Sequence, residues 1–378
     1  MAATVAFAFN VWEHLPVVTP SHYSDVASIF WREGIGKGSR LIPYYDFAFE
    51  YPVIVGVIVY VCTAVRIFIP DFSTAFNYYA LAMDAILYPF AMGTVTVLYK
   101  MCKMLGVEKH RILKFFVITP SFLMFTVYNW DIIAIFFSTL SIYLFLKGMK
   151  KMSAVSLGLG IGAKLFPIVL LPVYLLEEKS WKQRLALAFI SVGTFTLLNA
   201  PFIILNFSTW FETWTYHMRW GIEDSWLIYL FHQMDPNAHY ASLAVFLYLV
   251  YKGLIETSKK EYVSQSQRVL ERSFLMNLAW LIGSYVVTPQ MALMLLPFMV
   301  LLPLIAPSLF YLADALNALI IVMWFTPQLN FGNPLIASSP VQAVSAARQL
   351  LWLSFFLYCI YPKQIAVWVR GLFKRIEK

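Results

Sequence analysis

Residues 153–176 read SAVSLGLGIGAKLFPIVLLPVYLL, and the fold turns on how this stretch is taken. It is apolar enough for a membrane span, yet it divides at Lys164-Leu165-Phe166-Pro167 into pieces at 153–163 and 168–176. A helix over 153–163 rises only about 16 Å, so Lys164 falls well inside the thickness of a bilayer. Half-length helices joined by a polar hinge are tolerated there only where they line a cavity or are buried in protein. Just upstream, 115–128 and 132–146 are again short against a span of about 20 residues, and they meet at Tyr128-Asn129-Trp130-Asp131. The pattern is that of an all-α polytopic membrane protein with several short or broken helices.

The composition agrees. Hydrophobic residues make up 60% and charged residues 13% of the 378, with a mean hydropathy of +0.70. A soluble domain carries roughly 45–50% apolar and about 25% charged residues, so a soluble enzyme, a fibrous protein and a disordered chain are excluded. Apolar runs recur at 51–69, 77–99, 115–128, 132–146, 153–176, 185–205, 239–255, 273–287, 291–306, 309–325 and 350–361. No hydrophilic stretch between them is long enough for a soluble domain, so 1–378 reads as a single integral-membrane domain. Residues 1–11 lack the basic start and cleavage site of a signal peptide and read as a short first membrane helix. Cys62, Cys102 and Cys359 lie in or beside apolar runs. Their odd number excludes a disulfide framework, and they show no metal-ligand spacing.

The net charge of +8 is a topology signal and not a sign of nucleic-acid binding. Loops 100–114, 147–151, 177–184, 252–272 and 363–378 hold 21 of the 28 Lys and Arg residues, which places them in the cytoplasm. Segments 13–50, 206–238 and 326–346 then face outside. Segment 206–238 carries Trp210, Trp214, Trp220 and Trp226 and is expected to lie along the interface. Two apolar runs separate residue 50 from the loop at 100, where an odd number of crossings is needed; a break near Pro89 is one way to supply it.

A charged residue in a bilayer costs about 2.5–3.5 kcal/mol on insertion scales, so each one needs a reason. Arg66 reads as snorkelling from a helix end, and Asp84 and Asp314 as internally paired. Asp131 follows Asn129 at a helix start, where a carboxylate caps free N–H groups or takes part in chemistry. Lys164, between Gly158, Gly160, Gly162 and Pro167, presents one cation to a cavity, which suits a phosphate. The triple glycine itself reads as close helix packing. The densest cluster is Tyr23-Ser24-Asp25 with Pro43-Tyr44-Tyr45-Asp46-Phe47-Ala48-Phe49-Glu50-Tyr51-Pro52. On a helix Asp46 and Glu50 share a face. A carboxylate there acts as a base toward a sugar hydroxyl or ligates a metal; the alternative is a solvated loop with interface tyrosines. Asn206-Phe207-Ser208 is a glycosylation sequon facing outside. Among the scattered histidines, His217 near Arg219 is the one worth testing.

Tyr23-Ser24-Asp25, Ile42-Pro43-Tyr44-Tyr45-Asp46 and Glu50-Tyr51-Pro52-Val53 together resemble the first extracytoplasmic loop of glycosyltransferase family 87. That family comprises polyprenyl-phosphate-sugar-dependent enzymes of the GT-C superfamily. The resemblance continues in order through Asn129-Trp130-Asp131, the hinge Gly158 to Pro167, Ala200-Pro201 with Trp210 and Arg219, and Thr288-Pro289-Gln290 with Leu295-Leu296-Pro297. Departures are Val53 after Pro52, Met291 after Gln290, and a first helix shorter than the family's.

The resemblance implies a GT-C fold of roughly 10–13 transmembrane helices in the cell membrane, with the active site at the extracytoplasmic face. It implies inverting transfer of a sugar, mannose first, from a polyprenyl-phosphate carrier to a glycolipid or glycan acceptor. Its catalytic acid maps best to Asp25, with Asp46 and Glu50 second. Donor and phosphate contacts map to Lys164 and Arg219, with Asn129, Asp131, Gln290 and His217 around them. No nucleotide, nucleic acid or metal cofactor is expected, although Asp46 and Glu50 are of the type that holds a divalent cation. Alternatives are another lipid-linked sugar, a protein acceptor, or a transporter or lipid-sugar flippase. A transporter has against it the lack of an internal repeat and the gathering of carboxylates at one surface.

Overall fold

The computed structural model describes residues 1–16, 23–32, 41–302 and 306–362. Parts of segment 13–50 and the basic tail 363–378 therefore lie outside the described residues. The chain forms two compact units, Met1–Trp220 with Pro289–Leu301, and Gly221–Thr288 with Leu302–Lys378. Five helices are long and apolar enough to cross a membrane: Phe72–Leu105, Trp181–Leu205, Asn237–Ser258, Pro307–Trp324 and Pro340–Ile360. Val53–Phe68, Asp131–Leu146, Phe166–Glu177 and Pro289–Leu301 are shorter apolar pieces. The chain is an all-helical membrane protein. Cys62, Cys102 and Cys359 are buried and free.

In the first unit, Phe72–Leu105 starts where the Asp71 carboxylate accepts from the Thr74 N–H and stops at left-handed Gly106. It runs through Pro89 without a break, so the expected interruption there is corrected. The chain breaks earlier instead, at Thr63, between helices Val53–Cys62 and Val65–Phe68. Val53–Cys62 rises about 15 Å, half the hydrocarbon thickness, whereas Phe72–Leu105 is long enough to cross it. Arg66 closes the turn after it by donating to the carbonyls of Ile69 and Pro70.

Lys150–Ala163 packs between Asp131–Leu146 and Trp181–Leu205. Its glycines make this possible: a Cβ at Gly158 would lie 2.5 Å from the Ser191 carbonyl oxygen, and one at Gly162 2.7 Å from Leu198 Cδ1. Lys164 ends the helix in extended conformation and a 3₁₀ turn, Phe166–Val169, follows. The break lies where the sequence places it. Helix Phe207–Met218 is capped by Asn206, whose Oδ1 accepts from the Thr209 N–H and whose Nδ2 donates to the Tyr45 carbonyl. The sequon asparagine is thus engaged at both ends of its amide.

In the second unit, polar sequence is drawn into helices. Segment 252–272, expected as a loop, is helical to Ser258 and again from Gln265. Its charges are partnered locally: Lys260 meets Glu271 and the Cys359 carbonyl, and Arg272 Nε donates to Thr257 Oγ1 at 3.0 Å. Segment 326–346, expected outside, yields its last residues to helix Pro340–Ile360, where Gln342, Ser345, Arg348 and Gln349 are buried. Hydropathy misses that turn because its polar side chains are buried against protein partners, Gln342 on the Pro334 carbonyl, Ser345 on Asp224, Arg348 on Asn317 and Gln349 on the Leu281 carbonyl.

Candidate active site

Helix Asp25–Arg32 is tied down at its first turn, where the N–H groups of Asp25 and Val26 both donate to the Tyr128 carbonyl, at 3.0 and 3.4 Å. This brings Asp25 beside the Asn129-Trp130-Asp131 turn, more than a hundred residues away in sequence. Its carboxylate Oδ1 accepts from the Tyr23 hydroxyl at 3.1 Å. Oδ2 accepts from the Tyr51 hydroxyl at 3.0 Å, Gln290 Nε2 at 3.4 Å and Asn129 Nδ2 at 3.5 Å. Tyr51 is steadied by an edge-on contact with Trp130, ring centroids 4.7 Å apart. Asp25 remains half-buried.

Burial, and after it the neighbouring Glu50 charge, raise the Asp25 pKa to about 6 against the opposing pull of Lys164 and the hydroxyls of Tyr51 and Tyr23. The result is a carboxylate ionised at neutral pH yet much more basic than a solvated one, the property of a general base.

Asn129 does two jobs. Its Oδ1 accepts from the Asp131 N–H at 2.8 Å, opening helix Asp131–Leu146, while its Nδ2 reaches Asp25. Asn129 therefore provides the cap that the sequence offered to Asp131. The Asp131 carboxylate is freed to pair with Lys164, which sits at the hinge between the two half-helices. Asp131 is 1% exposed, whereas Lys164 keeps 18% of its side chain open.

The other expected residues are distributed less evenly. Glu50 is buried and held by both arms of Arg32, at 2.7 and 3.0 Å. With both oxygens occupied it orients the Arg32 helix and acts on Asp25 by charge. Tyr216 of the aromatic helix contacts this pair, and burial together with Glu50 lifts its pKa to about 12. Asp46 is exposed and turns back to accept from the Ile42 N–H at 2.7 Å. The expected helix carrying Asp46 and Glu50 on one face does not form. A tight turn replaces it, with Tyr44 left-handed at φ 68° and its N–H on the Phe47 carbonyl. His217 is exposed but lies within reach of the Glu50 and Lys164 charges, and partial desolvation of its ring lowers its pKa. Arg219 pairs with Glu212 of its own helix, both open to solvent. Arg32, Tyr51 and Tyr216 were not assigned roles from sequence. Tyr51 was within the quoted cluster, but nothing in spacing linked Arg32 to Glu50 or either to Tyr216.

Among the described residues no three His, Cys, Asp or Glu side chains stand together as a metal-holding group. The arrangement offers one basic carboxylate, an adjacent cation and a rim of tyrosine and amide groups.

Residues 49–255 match glycosyltransferase family 87. The matched stretch includes Glu50, Tyr51, Asn129, Asp131, Lys164, His217 and Arg219, and leaves Asp25, Asp46 and Gln290 outside it. No curated protein matches the sequence. Similar solved structures are those of ArnT from Cupriavidus metallidurans. The form bound to undecaprenyl phosphate is 13% identical, with a TM-score of 0.45 over 95% of this chain and 76% of that one. The apo form is 13% identical, with a TM-score of 0.44 over 94% and 75%.

Proposed function

The chain belongs to glycosyltransferase family 87, and on that premise we propose that it transfers mannose from a polyprenyl-phosphate carrier to a glycolipid or glycan hydroxyl with inversion. The observation that carries the reading is Asp25: a half-open carboxylate with a pKa of about 6, held by four side-chain donors and facing the charge of Lys164. In the reaction, the acceptor oxygen forms its bond to the anomeric carbon as Asp25 takes the hydroxyl proton. The bond from that carbon to the phosphate oxygen breaks on the opposite face. The leaving polyprenyl phosphate gains no proton, and its charge needs a cation, which Lys164 supplies through its exposed side while it stays paired with Asp131. One base suffices for a single displacement with inversion. Tyrosine and tryptophan side chains at the rim suit the faces of sugar rings.

An extracytoplasmic site is supported by where the helix ends fall. Asp131 opens and Lys164 closes two helices whose other ends run into the basic loop 147–151. Trp181–Leu205 begins at the basic segment 177–184 and ends beside Asn206, which touches Tyr45. The site residues thus gather at the ends opposite the Lys and Arg clusters, and those clusters mark the cytoplasm. Short, broken helices give an isoprenoid donor a lipid-side entry with its head group in the polar cavity.

The test is transfer by purified protein in lipid, supplied with labelled mannosyl-phosphoryl-polyprenol and a membrane glycolipid extract. Label is expected to move to a new lipid, and Asp25→Asn to abolish the transfer while leaving the protein folded. Transfer only from another lipid-linked sugar would replace mannose. No transfer from any of them, with folded protein, would overturn the reading.

A further inference from the structure

Gln290 lies in the 3₁₀ segment Pro289–Leu295 and is 5% exposed. Its amide orientation is set by chemistry: only the nitrogen can face the Asp25 carboxylate, so Nε2 donates there at 3.4 Å and Oε1 points away. That oxygen is buried and makes no hydrogen bond to the protein. The same holds for Asp131, 1% exposed, whose Oδ1 takes Lys164 and whose Oδ2 has no partner. Two side chains of one network, each using one polar atom on the catalytic groups, therefore leave a buried oxygen unused.

Both unused atoms are acceptors. A phosphate brings only oxygens at neutral pH, which an acceptor repels, and the phosphate's partner here is the Lys164 ammonium. A sugar brings hydroxyl donors, and a buried acceptor gains most from one. Gln290 shares an oxygen of Asp25, the group that takes the proton of the attacking hydroxyl, and so stands on the acceptor's side of the site. We infer that Gln290 reads the acceptor: its Oε1 accepts a hydrogen bond from a sugar hydroxyl adjacent to the one that Asp25 deprotonates. The inference rests on the glycosyltransferase reading of this site. Gln290 is then a specificity residue that also holds Asp25 in place, and deoxygenation of one ring position leaves its oxygen buried and unpaired.

Binding separates this from the transfer reaction itself. Octyl mannoside and its monodeoxy analogues are titrated calorimetrically into the full chain in lipid nanodiscs, without donor. Wild type is expected to lose about 10- to 100-fold in affinity for one analogue, the cost of an unpaired buried acceptor. Gln290→Leu is expected to bind the parent and that analogue within about threefold of each other. If the variant does not fold, Gln290→Asn, which withdraws the same oxygen by one methylene, takes its place. An equal penalty in the variant, a flat analogue series in wild type, or no binding of octyl mannoside would each overturn the inference. Failure of transfer with this binding pattern intact would instead count against the proposed reaction.

Discussion

Each unit of the molecule holds an aspartate in a polar cluster, and the two clusters are built differently. In the second unit, Asp224 is 1% exposed and left-handed at φ 51°. Its Oδ1 accepts from the Ser345 hydroxyl at 3.1 Å, and its carbonyl accepts from Arg348. Arg348 is 0% exposed and also donates to Asn317 Oδ1 and the Val287 carbonyl, both at 2.7 Å, with its guanidinium against Trp352. Burial outweighs the attraction of Arg348 and lifts the Asp224 pKa well above the usual carboxylate range. The Asp25 pKa is raised in the same direction and for the same first cause, so a perturbed carboxylate alone does not identify a site. Access and the cation's partners do. Arg348 is committed to backbone and amide oxygens that join a loop to two helices. Lys164 meets a carboxylate while keeping part of its side chain exposed, and Asp25 is only half-buried. On the proposed reading, one cluster is a staple and the other is a reaction centre.

The largest expected effects test that division directly. Asp25→Asn is expected to lower turnover by about 100- to 10,000-fold, the range of a lost general base, with unfolding unchanged. Arg348→Met leaves several buried acceptors without donors and is expected to cost about 3 kcal/mol of stability, with turnover per folded molecule retained. Unfolding measured beside turnover decides the comparison. A destabilised Asp25→Asn with normal turnover, or a stable and inactive Arg348→Met, would exchange the roles of the clusters.

Lys164 gives the next effect in size, and it sharpens the electrostatic half of the contrast. Loss of its charge-assisted contact is expected to raise the donor KM about 10- to 100-fold in Lys164→Ala. If Asp25 is the base it must be ionised to accept a proton, so wild-type kcat/KM is expected to rise with pH through about 6 and level above it. Lys164 lowers the Asp25 pKa, so its removal moves the acid limb to higher pH. A limb that stays in place when Lys164 is replaced would mean that another group is titrating.

The contrast also explains what was legible in sequence. The hinge at Lys164 and the Asn129–Asp131 turn were readable because glycine, proline and an intramembrane charge each break a simple rule in a short window, whereas Asp25 was singled out only through the family resemblance. The Arg32–Glu50–Tyr216 contact was not readable, since it joins three segments whose pairing only the tertiary fold sets. Asp46 looked equivalent to Glu50 on the assumption of a helix. The left-handed Tyr44 closes a turn there instead, and the carboxylate is spent on the Ile42 N–H. The second unit was least legible. Gln342, Ser345 and Arg348 dilute the hydropathy of their helix, although inside the protein they are its fastening.

Arg219 supplies the smallest prediction and the finest division between a cation in the site and one outside it. The family resemblance placed it, with Lys164, on the donor phosphate. In the structure it turns to Glu212 along its own helix, with 63% of its side chain exposed, while His217, two residues earlier, is the group near Lys164. An exposed pair is screened by water and salt and contributes little. Arg219→Ala is therefore expected to change donor KM by less than about twofold at physiological salt. A change as large as that of Lys164→Ala would mean that Arg219 leaves Glu212 when donor binds. The helix Phe207–Met218 would then reposition with it, and Tyr216→Phe, which weakens its hold on Arg32 and Glu50, would alter donor KM in the same assay.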